Sequence, residues 1–367
     1  MRLVVDVSAH GYGHFGQTAP VLNALAKRLP DLELVLRSGL PASLLAQRLE
    51  GRFAHVSCSL DIGMLMADAL HVDGPASLAA YRAFHDDWDR RVDAEAARLA
   101  ELEPDLLLAN VPYLSLAAAR RAGVPSVALC SLNWADVVRH YFGRDAEVDR
   151  IIAHIVSAYD EAMLFLRPEP AMPMADLANV VRLGPIAQRA QGRRDELAER
   201  IGLRAGERLA LVSMGGVPQW LPPGAWSRAG AWRFLVRDDV RPDGPAVDLR
   251  TLPFSHLELL ASVDALVTKP GYGSFVEAAV HGVPVLYLRR DDWPEELALV
   301  QWLTAMANCA ELSWRDLEGG RVSARLDQLL GRSPRPLVMP TGNEEAARTL
   351  AGLLKIRCLG QAEQAAA

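Results

Sequence analysis

At 367 residues, half of them hydrophobic, the chain has the length of two ordinary domains and enough apolar side chains to fill two cores. Its 39 basic and 45 acidic side chains give a formal charge of -6 and are spread along the sequence, which argues against the basic tracts that follow a nucleic-acid backbone. Cys58, Cys130, Cys309 and Cys358 stand in no CxxC spacing and in no ligand register with histidine, so no metal site and no disulfide framework is expected. Met1-Arg2 leads directly into an apolar strand and no later run approaches a membrane span, so the expectation is a cytoplasmic protein without integral membrane association.

Apolar runs of strand length alternate with helical patterns from the start: strand 3–7, helix 17–29, strand 32–36, helix 41–49, a long helix 76–102, strand 105–109, helix 113–122 and strand 124–129. Such alternation predicts α/β architecture with parallel sheets covered by helices. Around 167–186 the prolines of Arg167-Pro-Glu-Pro-Ala-Met-Pro-Met174 interrupt the pattern, predicting a boundary with an amino-terminal domain over 1–170 and a linker over 171–186. Alternation resumes with helix 194–201, strands 208–213, 232–236 and 247–251, helix 256–261, strand 264–268, helix 274–281 and strand 283–288. A second open α/β domain is therefore expected over 187–342, closed by an amphipathic helix over 343–358.

Ligands of open parallel sheets bind outside the carboxyl ends of the strands, so the motifs at those ends carry the functional signal. Thr268-Lys-Pro-Gly-Tyr-Gly-Ser274 places a glycine turn between a buried strand and a short helix reading from Phe275 to His281. The first N–H groups of a helix lack internal acceptors and carry the positive end of its dipole, a suitable cradle for a diphosphate. On this reading Glu277 stands on the first turn, where a carboxylate can accept from two ribose hydroxyls. An ordinary crossover, with glycines for the turn and Glu277 as a favourable charge, accounts for the same residues.

Gly11-Tyr-Gly-His-Phe-Gly16 satisfies GxGxxG after the first strand, but the position of the ribose-binding acid holds Arg37-Ser38. That pair disfavours NAD and suits a 2′-phosphate, so an NADP-binding protein is one alternative. His14, at the mouth of a helix, can serve as a general base, with His10 as a second candidate for that role or as a loop support. Ser213-Met-Gly-Gly216 is a small-residue loop suited to phosphate or sugar, and Arg289-Arg-Asp-Asp-Trp-Pro-Glu-Glu296 is a charged turn able to hold sugar hydroxyls or simply to face solvent. Asp87-Trp-Asp89 matches DxD but falls inside a helical pattern and reads as chance; Trp220, Trp226 and Trp232 read as packing residues.

Taken together, these residues resemble the GT-B glycosyltransferases, in the branch of the peptidoglycan GlcNAc transferases and the plant UDP-glycosyltransferases. Within it, His10-Gly-Tyr-Gly-His14, Ala67-Asp-Ala-Leu-His-Val-Asp73, Lys269-Pro-Gly-Tyr-Gly-Ser274 with Glu277, and the 289–296 turn are most similar to the glycosyltransferase-like amino-terminal half of plant L-arabinokinases. The resemblance implies two Rossmann-like open-sheet domains facing a central cleft, and metal-independent, inverting hexosyl transfer from a nucleoside-diphosphate sugar, UDP-linked by likeness, to an acceptor hydroxyl, with no cofactor. It matches His14 to the catalytic base and Gly13, Gly215, Gly216, Lys269, Gly271, Tyr272, Gly273 and Ser274 to the diphosphate loops. Glu277 matches the ribose ligand, Leu252 and Phe254 flank the backbone facing the base, and Asp291, Asp292, Glu295 and Glu296 match the acids around the donor sugar. One departure is Asn110, where plant members pair the base with an aspartate. A non-catalytic nucleotide-sugar-binding module and a sugar-nucleotide 2-epimerase are the other readings of the same likeness. The kinase half of the plant proteins would start where this sequence stops, so sugar phosphorylation is not expected.

Overall fold

The computed structural model describes residues 1–143, 145–215, 221–222, 225, 230–237 and 246–366, with backbone alone from 358 onward. The chain divides into two compact units, one of Met1–Leu65, Val72–Ile186 and Pro340–Ala367, the other of Met66–His71 and Ala187–Met339.

The first unit is a seven-stranded parallel sheet of β1 (Arg2–Val7), β2 (Glu33–Arg37), β3 (Ala54–Val56), β4 (Leu106–Asn110), β5 (Ser126–Leu129), β6 (Leu164–Pro168) and β7 (Val180–Leu183), in the order β3-β2-β1-β4-β5-β6-β7. Its central strands read as continuous apolar runs because helices cover both faces: every residue of β4 and β5 is buried. Strand order reverses between β1 and β4, so a crevice opens beyond Val7 and Asn110, where Ser8 N–H donates to the Asn110 carbonyl at 2.8 Å.

The second unit repeats the plan with β8 (Arg208–Ser213), β9 (Trp232–Val236), β10 (Ala246–Asp248), β11 (Ala265–Thr268), β12 (Val285–Tyr287) and β13 (Cys309–Glu311), in the order β10-β9-β8-β11-β12-β13. Its reversal lies between β8 and β11, whose ends are tied by Thr268 Oγ1 donating to the Ser213 carbonyl at 2.6 Å.

Several elements differ from the sequence reading. The passage expected as a linker over 171–186 contains β7, which pairs with β6 through Phe165 to Val180. The carboxy-terminal helix Gly342–Ala366 belongs to the first unit, burying Ala346, Leu350 and Leu354 in the same core as Val21 and Leu25 of the helix Gly13–Arg28. The single helix expected over 76–102 is two, Gly74–His85 and Trp88–Glu101, so Asp87 stands just before the second instead of lying within one helix. The strand expected over 247–251 stops at Asp248, whose carboxylate caps a short 3-10 turn, Leu249–Thr251. Helices begin earlier than their apolar faces suggest: Gly13 and Tyr272, not 17 and 274, are the first helical residues. The glycines and polar residues of these first turns interrupt the apolar pattern, although Phe15, Tyr272 and Phe275 are buried in the cores.

Candidate functional site

In the first unit, β1 delivers Ser8 to Tyr12 to the crevice edge, and helix Gly13–Arg28 then starts with His14 on its first turn. His14 is only 6 % exposed. Its Nδ1 lies 2.9 Å from Asn110 Oδ1. Asn110 Nδ2 donates to the His14 carbonyl at 3.2 Å and to Gln17 Oε1 at 3.4 Å, while Gln17 Nε2 donates to Ser131 Oγ at 2.7 Å. With both amide protons directed there, Oδ1 accepts from Nδ1–H, and His14 keeps the tautomer whose Nε2 lone pair is open. Burial lowers the His14 imidazole to about 4, against an upward pull from Asn110. At neutral pH the ring is uncharged, in the form of a base, but with little thermodynamic pull on a proton.

Around it stand residues that the sequence reading did not single out. Trp134 lies 5.9 Å from the His14 ring and 5.3 Å edge-on from His10. Its indole N–H donates to Asp61 Oδ2 at 3.0 Å. Asp61 is buried, which raises its carboxyl to about 6 against bonds from Ser8 and Trp134. The Cys130 thiol lies 3.6 Å from His14 Nδ1. His10 packs on Gly63, where an added Cβ would come within 2.6 Å of the imidazole, so the side chain is wedged against the loop. Asp61 and Trp134 occupy loop and helix-start positions without a local motif, so only contact in the fold reveals them.

Arg37, the residue that kept NADP open, is 4 % exposed. Its guanidinium donates to both Asp6 oxygens at 2.6 and 2.5 Å and to Glu95 Oε1 at 2.6 Å. A buried cation already held by two carboxylates has no capacity for a 2′-phosphate, which corrects that alternative.

In the second unit, Gly215 follows β8 with φ +84, a conformation that favours glycine, and a Cβ there would meet Lys269 Cε at 3.5 Å. Gly216, Trp220 and Trp226 lie outside the described residues. Beyond β11, Lys269 and Gly271 lead into helix Tyr272–His281, whose start has no side-chain cap. Glu277 is therefore one turn deeper than the first turn expected for it, and it is 3 % exposed. Gly273 and Ser274 lie on the first turn beside Tyr272. Burial, with a smaller push from Arg290, lowers the Lys269 ammonium to about 7, while Glu295 pulls it upward. Leu252 and Phe254 follow β10 at the same sheet edge, with the Arg193 guanidinium 4.6 Å over the Phe254 ring.

The 289–296 turn is organised by its own charges. Glu296 accepts from Arg289 Nε at 2.8 Å and from Arg290 N–H at 2.5 Å. Glu295 accepts from Trp293 Nε1 at 3.3 Å, and the Arg290 guanidinium lies 4.2 Å from the Trp293 ring centroid. Glu295 and Glu296 are buried while Asp291 and Asp292 are exposed, so one sequence cluster divides into a turn-supporting pair and a solvent-facing pair. Trp232 is buried and its indole donates to Asp327 at 3.0 Å, a packing role. Among the described residues no group of three potential metal ligands converges, and no helix is long and apolar enough to cross a membrane.

No family model matches the chain. Over 362 residues, 94 % of this chain, it is 25 % identical to an L-arabinokinase of Arabidopsis thaliana, of which it spans 33 %. Solved structures share its fold over nearly the whole length. A glycosyltransferase of kitacinnamycin superposes with TM-score 0.62 at 16 % identity, covering 98 % of both chains. The calicheamicin glycosyltransferase CalG4 gives 0.62 at 14 % identity over 97 % of this chain and 95 % of its own. A Phytolacca americana UGT2, solved with UDP-2-fluoro-glucose and pterostilbene, gives 0.59 at 13 % identity over 96 % and 94 %. The fold is GT-B, two Rossmann-like parallel-sheet units, and the chain is similar to glycosyltransferases in architecture and to an L-arabinokinase in sequence.

Proposed function

From this fold and these two crevices we propose that the chain is an inverting glycosyltransferase acting on a nucleoside-diphosphate sugar, UDP-linked by likeness to its neighbours. The observation that carries the reading is the equipment of the second switch point: a positive-φ Gly215, an ammonium at Lys269 and an uncapped helix start at Gly271, all at one sheet edge. Glycine backbone, a helix dipole and one cation suit a diphosphate leaving group and require no metal. Glu277 would take the ribose, and the exposed Asp291 and Asp292 of the 289–296 turn the sugar. His14 Nε2 accepts the acceptor hydroxyl's proton as its oxygen bonds the anomeric carbon, and the bond from that carbon to the diphosphate breaks with its electrons leaving on phosphate.

A second reading is favoured by one observation, the His14–Asn110 bond. An amide partner gives an imidazolium no charge to rest against, as a donor-binding module without turnover would allow. Calorimetry with UDP, GDP, dTDP, ADP and NADP on wild type and Glu277→Ala tests the donor site: one diphosphate should bind and the substitution should weaken it. Binding of NADP alone, or of none, refutes the proposal. Donor consumption by wild type and none by His14→Ala, with nucleotide affinity unchanged, separates transfer from mere binding.

A further inference from the structure

We infer that the second unit carries another ligand site, for free phosphate or a small phosphate monoester, at the sheet end opposite the glycine loops. Cys309 is the first residue of β13, and all six strands run parallel, so its surroundings lie at the amino ends of the strands, whereas Gly215 and Gly271 follow carboxyl ends. A cavity of about 310 Å³ opens there, lined by Thr304, Asn308, Cys309, Arg332, Ser333 and Arg335. Volumes of this order hold small ligands.

The lining is cationic, with no carboxylate paired to its arginines among the described residues. Arg332 Nη1 donates to the Cys309 carbonyl at 2.7 Å, which holds its guanidinium in place; among the described residues its other N–H groups have no acceptor and Arg335 makes no hydrogen bond. Neither guanidinium has a carboxylate within ion-pair distance among the described residues, unlike Arg193, Arg289 and Arg321, each paired with an acid. Helices Glu296–Met306 and Val322–Leu330 both end beside this cavity. Their carbonyl ends contribute roughly half a negative charge each, against two full positive charges, leaving about one positive charge unanswered. Burial raises the Cys309 thiol, against a hydrogen bond with Thr304 and smaller downward pulls from both arginines. Guanidinium forks beside the Ser333 hydroxyl match the acceptors of a tetrahedral oxyanion, while the Thr304 hydroxyl is committed to the Val300 carbonyl at 2.8 Å. The cavity exceeds a bare phosphate, leaving space for a monoester's organic group.

The inference is independent of the donor reading. Calorimetry of the full chain with inorganic phosphate and with phenyl phosphate is the test, on wild type, Arg335→Gln and the Arg332→Gln/Arg335→Gln pair. One equivalent should bind wild type, about tenfold more weakly to Arg335→Gln and not detectably to the double variant, since each charge-assisted pair carries about that factor. Tighter binding of phenyl phosphate identifies a monoester site, and equal binding a phosphate site. UDP affinity should be the same in all three proteins. Arg335 makes no bond within the described fold, so a melting temperature measured without phosphate should not move in that single variant. Undiminished phosphate binding by the double variant, or none by wild type, overturns the site.

Discussion

Replacing Asn110 by aspartate tests the geometry around His14 without knowledge of the acceptor. The substitution places a charge against the imidazole, where Oδ1 now accepts at 2.9 Å. Two unit charges about 4 Å apart interact by about 4 kcal/mol at an effective dielectric of 20, or about three pKa units on the ring. His14 should rise from about 4 to near 7, from unable to hold a proton at neutral pH to half-protonated. The change has a cost: the amide now donates to the His14 carbonyl and to Gln17 Oε1, and a carboxylate oxygen there would face two acceptors. Loss of that bonding in a buried position costs about 1–3 kcal/mol, lowering the melting temperature above pH 7 more than below it, where the imidazolium forms. The assay is an NMR titration of the His14 ring in both proteins, with donor turnover followed over the same pH range. Equal titration midpoints in the two proteins, or a wild-type ring titrating near the ordinary 6.5, would refute the buried, amide-held imidazole and with it the account of Asn110.

Lys269 and the histidines give two further expectations. Lys269→Met should weaken UDP binding by about tenfold or more, and wild-type affinity should decline as pH rises through 7 while the variant's stays flat; pH-independent wild-type binding would remove Lys269 from the phosphate site. His14, lowered to about 4, and His85, lowered to about 3 by burial and then by His154, Arg150 and Arg91, are neutral when folded and gain protons below 6.5 when unfolded. Each therefore contributes stability that is present above 6.5 and lost as pH falls toward its folded value, about 3 kcal/mol for His14 between 6.5 and 4. Denaturation by urea at pH 7, 5.5 and 4.5 should show that slope reduced in His14→Gln; an identical slope in the variant would place the proton uptake elsewhere.

What the sequence by itself determined is local. Apolar runs of strand length identify the central strands β1, β4, β8 and β11, because a strand buried on both faces is apolar over most of its few residues. Gly282, at the end of helix Tyr272–His281, adopts the left-handed conformation that the residue type permits, a constraint written in one position. Short edge strands and the surface helices after residue 296 are marked by neither rule, and β7 hides in a proline-rich passage because its pairing, not its composition, makes it a strand. Only tertiary structure decided the chemistry of the candidate site. His14 and Asn110 meet across 96 residues, Gln17 and Ser131 across 114, and Arg37 finds Asp6 and Glu95 only once β1, β2 and helix Trp88–Glu101 have assembled. Residues Met66–His71, with Ala69 wholly buried in the core around Val212 and Val267, join the second unit from within the first half of the chain, and the last helix returns to the first unit. Helix and strand signals are carried by neighbours within a few positions, whereas a side chain's partner, its burial and the pKa that follows depend on which distant segments the sheet order brings alongside.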